Sequence, residues 1–213
     1  MSDDVRATVD AFDHLRAVAE EARGFGYVRQ PDGTERYGHV PHVAPEAWFH
    51  VLFAPLTENE VGLLEVDLDT ELPPQFRRWL QLSNGLNMFS RRLVLYGLRA
   101  DYSRNPDVWL PFHIKNAQVE ERPPDAERSF VFIGSSDWWT PELAWRGSSL
   151  YVDALDGSLH LSRRHDTRPV ESWPSFAEGI VDLCDRLAAC FDDEGRLAVA
   201  NLSEIGREQF GDH

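Results

Sequence analysis

The sequence predicts an α+β fold: a single domain with a central, mainly antiparallel sheet flanked by N-terminal and C-terminal helices. Three observations carry that prediction. Apolar residues recur at helical spacing over residues 3 to 22, short β-prone runs separated by turn signals fill residues 93 to 163, and a capped amphipathic helix follows Trp173. A chain of 213 residues can bury roughly 70% of its unfolded surface, so it needs no disulfide or metal staple.

In the first segment Val5, Val9, Phe12, Leu15 and Ala19 form a helical stripe that ends at Gly24 and Gly26. Next, Pro31-Asp32-Gly33 sits between two β-prone runs and reads as a hairpin. The segment PEAWFHVLF is expected to form a short helix opened by Pro45. Thr57 and Glu60 have capping-box spacing, and Val61, Leu64 and Leu68 give the inner face of the helix they start. Its outer side is strongly acidic, with six acids and no base between Thr57 and Glu71. Pro73-Pro74 ends that helix and opens another, whose core face is Phe76, Trp79 and Leu80.

That second helix stops at Ser83-Asn84-Gly85, before a short apolar strand. Asn and Gly both tolerate the left-handed conformation that closes helices, so the stop is expected to be structural punctuation rather than a ligand loop. From Leu93 strands are expected in RRLVLYGL, in DVWLPFHI near an edge because of Pro111, and in SFVFIGSS near the centre. SSLYVDALDGSLHLSRR reads as a hairpin turning at Asp156-Gly157, and the alternation through Tyr151 and Asp153 predicts one wet and one dry face. The last clear helix carries Ser175 and Glu178 as a second capping box, with Phe176, Ile180, Leu183, Leu187 and Phe191 on one face. The remaining stretch is acidic and loosely helical.

Composition narrows the function. The 42% hydrophobic and 27% charged content belongs to a soluble globular chain, with no apolar run near the ~18 residues of a membrane span. No secretory leader pattern is visible at the start, so a cytoplasmic location is expected. Cys184 and Cys190 lie ~240° apart around one helix and are expected to be reduced, packed thiols. The formal net charge of −15 disfavours nucleic acid and anionic membranes as partners and favours basic proteins.

The stretch from Pro55 to Leu98 resembles the SUKH superfamily, which includes the yeast cell-wall assembly regulators of the Smi/Knr type. The likeness rests on the acidic helix with Glu60 and Glu65, Leu72-Pro73 opening the next helix, Asn84-Gly85 ending it, and the strand ending Tyr96-Gly97-Leu98. FVFIGSS, the LYVDALDG hairpin and the SWPSFAEGIVDLCDRL helix follow in the same order. The domain reading is therefore a helix-and-hairpin extension over residues 1–45, a SUKH-like domain over 46–191 and an acidic arm over 192–213. The resemblance implies a binding protein, in bacteria often an immunity protein that neutralises a toxin, with nuclease toxins common among the targets. It implies no shared catalytic residues.

Candidate chemistry is sparse. His39, His42 and His50 match no metal-ligand spacing, and no phosphate-cradling loop, dinucleotide fingerprint or G-x-S-x-G elbow occurs. No catalytic residue, metal or cofactor is expected. The candidate partner-binding residues are Asp137, Trp138 and Trp139, where the chain leaves an apolar strand, because tryptophan beside an acid suits an interface with a basic partner. Core packing of the tryptophans is the competing reading. Glu120 and Glu121, before Pro123-Pro124, form a second candidate or a merely solvated loop. The expected function is non-enzymatic neutralisation of a toxin domain or other basic protein. The alternatives are a cell-wall-regulator-like adaptor with no toxin partner and an unrecognised enzyme. The oligomeric state is left open.

Overall fold

The computed structural model describes residues 3–100, 109–136 and 147–198. Helix α1 (Asp3–Glu21) buries Ala11, Phe12, Leu15 and Ala19, then passes through a 3-10 turn (Ala22–Phe25) into the hairpin β1 (Tyr27–Arg29) and β2 (Glu35–His39). Strand β3 (Trp48–Leu52) follows, then α2 (Glu58–Leu68) and α3 (Pro74–Leu82). The meander continues through β4 (Leu86–Met88), β5 (Leu93–Leu95), β6 (Phe130–Ser135), β7 (Ser148–Asp153), β8 (Leu159–Arg163) and β9 (Pro169–Trp173). Helix α4 (Phe176–Ala188) closes the domain. The nine strands form one sheet in chain order, every neighbour antiparallel. The fold is therefore the expected α+β domain.

Strand alternation sorts the side chains. Leu86, Met88, Leu93, Leu95, Val131, Ile133, Leu150, Val152, Leu159 and Leu161 join the core beneath the helices. The helices meet through aromatic edges: Phe12 on Trp79 and Trp79 on Phe176, each with centroids 5.6 Å apart. Thr57 forms the expected capping box, whereas Ser175 caps its helix without the reciprocal bond, because the Glu178 carboxylate takes the Ser175 hydroxyl rather than its amide. Thr57 accepts from the Glu60 amide while Glu60 returns a carboxylate to the Thr57 amide, and Ser175 accepts from the Glu178 amide. Cys184 and Cys190 are free and buried. Because α1 packs on α3 and α4, and β1–β2 belong to the common sheet, the core runs without a break across residue 45.

Four local expectations need correction. Residues 48–52 form β3, not a helix: the run pairs with β2 on one side and β4 on the other, and these ladders outweigh the weak signal of a Pro-opened helix. DVWLPFHI is not a strand in its described part. Residues 109–112 are irregular, and one parallel bridge joins His113 to Gly97. Strand β9, absent from the sequence reading, completes the sheet at its edge. Finally, Tyr151 is buried rather than wet. Phe130, Phe132 and His160 pack around its ring, and its hydroxyl donates to the Thr167 carbonyl at 2.6 Å.

The corner at Ser83-Asn84-Gly85 is structural, and its geometry explains its pairing with Tyr96-Gly97-Leu98. The Asn84 amide donates to the Leu98 carbonyl (2.8 Å) and accepts from the Leu98 amide (2.7 Å). Gly85 takes φ +80°, and a Cβ there would lie 2.4 Å from the Leu95 carbonyl oxygen. A Cβ on Gly97 would lie 2.2 Å from Asn84 Oδ1. The two motifs are one interlock between the end of α3 and the end of β5.

Candidate functional site

The residues singled out in the sequence are not drawn into one cluster. Asp137, Trp138 and Trp139 lie outside the described residues. Glu120 is exposed as expected, whereas Glu121 is half-buried and takes the Arg164 guanidinium on both oxygens, Nε at 3.1 Å and Nη2 at 2.6 Å. The His39, His42 and His50 trio is not gathered either. His39 bonds the Pro45 carbonyl, and no group of three or more His, Cys, Asp or Glu side chains that could hold a metal occurs among the described residues. His50 is buried against Phe49 and Phe89, which pushes its pKa down to about 3.

Other titratable groups are occupied structurally. Buried Glu35 accepts from Arg16, Tyr27 and Tyr37, so one carboxylate ties α1 to the first hairpin. Burial, opposed by the Arg16 hydrogen bond, pushes the Tyr37 hydroxyl well above its usual value. Glu65 and Glu58 of α2 both hold Arg77 of α3, and Asp67 holds Lys115, so part of the acidic face of α2 is internally neutralised. Exposed carboxylates remain at Asp3, Asp4, Asp10 and Asp13 of α1, at Asp69 and Glu71 after α2, and at Asp192 to Glu194 after α4. No helix among the described residues is long and apolar enough to cross a membrane.

A concavity lies on the sheet face turned away from the helices. Register sets Arg36, Val51, Asn87, Val94 and Ser135 directly opposite one another across five strands, all alternating with core residues. Above this row is a cleft of about 640 Å³, walled by Trp48, Trp109, Val51 and the 43–47 loop. The Arg36 guanidinium sits 4.9 Å from the Trp48 ring and 4.7 Å from the Trp109 ring. Asn87, only 8% exposed, leaves Oδ1 without a hydrogen-bond partner among the described residues, and so does the buried Oγ of Ser90. A second hollow of about 280 Å³, lined by Val94, Tyr96, Phe112 and Ser135, adjoins it, and Arg91 borders both.

The turn that supplies Ser90 and Arg91 is unusual. Phe89, Ser90 and Arg91 are consecutive non-glycine residues at φ +53°, +53° and +72°. Phe89 uses the turn to reach the core, where it packs on Phe49 and stacks on Phe191. No single stretch marks this cleft in the sequence, since its residues come from positions 43 to 109. The only local hint was "NMFSRR", a hairpin connection with no Gly or Asn at its turn positions. No protein-family model matches the chain, and no curated protein matches it.

Proposed function

We propose that the chain is a non-enzymatic binding protein of the SUKH immunity type, which neutralises a toxin domain with a basic surface by direct contact inside the cytoplasm. The observation that carries this reading is the net charge of −15, with carboxylates left exposed on α1, after α2 and after α4. Such a field accelerates encounter with a basic partner and repels nucleic acid. The order of motifs along residues 46–191 supports the same reading.

The test is capture of partners from a lysate of the source organism with the full chain as bait, at low and moderate salt, followed by co-expression. The reading requires a captured protein with a basic domain whose toxicity disappears when the chain is present. It also requires an association rate that falls at least about tenfold between 50 and 500 mM salt. A salt-insensitive rate removes the electrostatic argument. Capture of cell-wall synthesis proteins or kinases, with no toxicity to neutralise, supports an adaptor instead.

A further inference from the structure

We propose that the cleft between Trp48 and Trp109 is a binding site for a small planar organic anion, an aromatic ring bearing a carboxylate and an N–H or O–H donor. This site is independent of the toxin-binding reading. Its volume of about 640 Å³ falls within the ~300–1,000 Å³ of small-molecule pockets, and its walls combine flat aromatic faces with a few convergent polar groups.

Charge selects the anion. Arg91 lines the cleft and makes no ion pair among the described residues of a chain with net charge −15, while Arg36 lies outside the lining, against the Trp48 and Trp109 rings. Glu46 also lines the cleft and, with Asp32, acts on Arg36, so Arg91 is the cation left to a ligand there among the described residues. The Arg36 guanidinium lies 4.9 Å and 4.7 Å from the two indole rings and is not itself part of the lining. Arg91 is exposed, with its guanidinium 5.6 Å from the Phe112 ring, and is placed to take a carboxylate in a forked pair.

Two unmet polar atoms then orient the ligand. A buried acceptor left without a donor is destabilising, and Asn87 Oδ1 is such an acceptor within the cleft. A ligand N–H or O–H would satisfy it, and Ser90 Oγ offers a second contact. The left-handed run Phe89-Ser90-Arg91 fits the same purpose. Glycine would adopt φ +53° and +72° with far less strain, but it would carry neither the Ser90 hydroxyl nor the Arg91 guanidinium into the cleft.

The probe is indole-3-acetate, which has the ring, the carboxylate and the N–H; indole-3-acetamide is its neutral counterpart. Binding to the full chain is measured by calorimetry and by the indole N–H resonances of tryptophan. One saturable site is expected for the acetate, at least about fivefold tighter than for the amide, with Trp48 and Trp109 as the resonances that move. Arg91→Gln, an exposed change that leaves the core untouched, should weaken the acetate at least about fivefold and the amide little. Asn87→Leu should weaken both. Arg168→Gln, on the far strand β9 side, should change neither. Absence of saturable binding to millimolar probe, equal affinity for acetate and amide, or unchanged affinity in Arg91→Gln would each overturn the proposal.

Discussion

Replacing Asn84 by Ala should destabilise the domain far more than its place at a helix end suggests. The side chain is 8% exposed and makes two hydrogen bonds to one residue, Nδ2 to the Leu98 carbonyl at 2.8 Å and Oδ1 from the Leu98 amide at 2.7 Å. Alanine deletes both partners and leaves a backbone donor and acceptor facing a small void. Each unsatisfied group costs about 1–3 kcal/mol when buried. Because Leu98 is half-buried, partial rehydration puts the sum near 2–4 kcal/mol. For a chain of this size that corresponds to a Tm lower by about 4–16 °C. Asn84→Asp should be no better, since it keeps the acceptor for the Leu98 amide but turns a carboxylate on the Leu98 carbonyl. Gly97→Ala should also be severe, because its Cβ would lie 2.2 Å from Asn84 Oδ1 and 2.5 Å from the Asn84 carbonyl oxygen. Urea unfolding followed by circular dichroism gives the comparison. A loss below about 0.5 kcal/mol in Asn84→Ala would refute the interlock as a source of stability.

Three further outcomes are expected. At position 91, glycine should be more stable than alanine by about 0.5–1 kcal/mol, because both lose the side chain but only alanine keeps left-handed strain at φ +72°; equal melting temperatures would show that the turn is unstrained. His50 has a folded pKa of about 3, below its ordinary value because of burial, so protons bind the unfolded chain first as pH falls. The stability it contributes is complete above pH 6.5 and erodes toward pH 3. The native chain should therefore lose about 2–3 kcal/mol between pH 6.5 and 4.5 that His50→Leu does not, and parallel pH profiles would contradict the assignment. Glu35→Ala removes the common acceptor of Arg16, Tyr27 and Tyr37 and should cost about 2–3 kcal/mol, less than a fully buried pair because the Arg16 side chain is 44% exposed. Unfolding by denaturant measures it, and a change within 0.5 kcal/mol of zero, a figure typical of surface sites, would mark the network as incidental.

Local chemistry made much of the architecture readable in one dimension. The stripe from Phe12 to Ala19, the Thr57 and Ser175 N-caps and the Pro73-Pro74 junction depend on neighbours within a few residues, and each forms as expected. The Asn84-Gly85 stop does not close α3 with a left-handed cap: the helix ends on an extended Ser83, and Asn84 is held by Leu98. Alternation likewise sorted Leu150 and Val152 from Tyr151. What lies beyond a turn or two was decided by packing. WFHVL is a strand because β2 and β4 flank it, and Tyr151 is dry because Phe130, Phe132 and His160 of the neighbouring strands pack around its ring. Glu35, an ordinary acid in the sequence, becomes the anchor of α1 only when Arg16, Tyr27 and Tyr37 converge on it. The cleft is the extreme case. Trp48, Val51, Asn87, Arg91 and Trp109 are separated by up to 61 positions and are brought together only by the tertiary fold. A hydrogen-bonding atom without a partner, such as Asn87 Oδ1, is a property of what surrounds it in space, which no local pattern encodes.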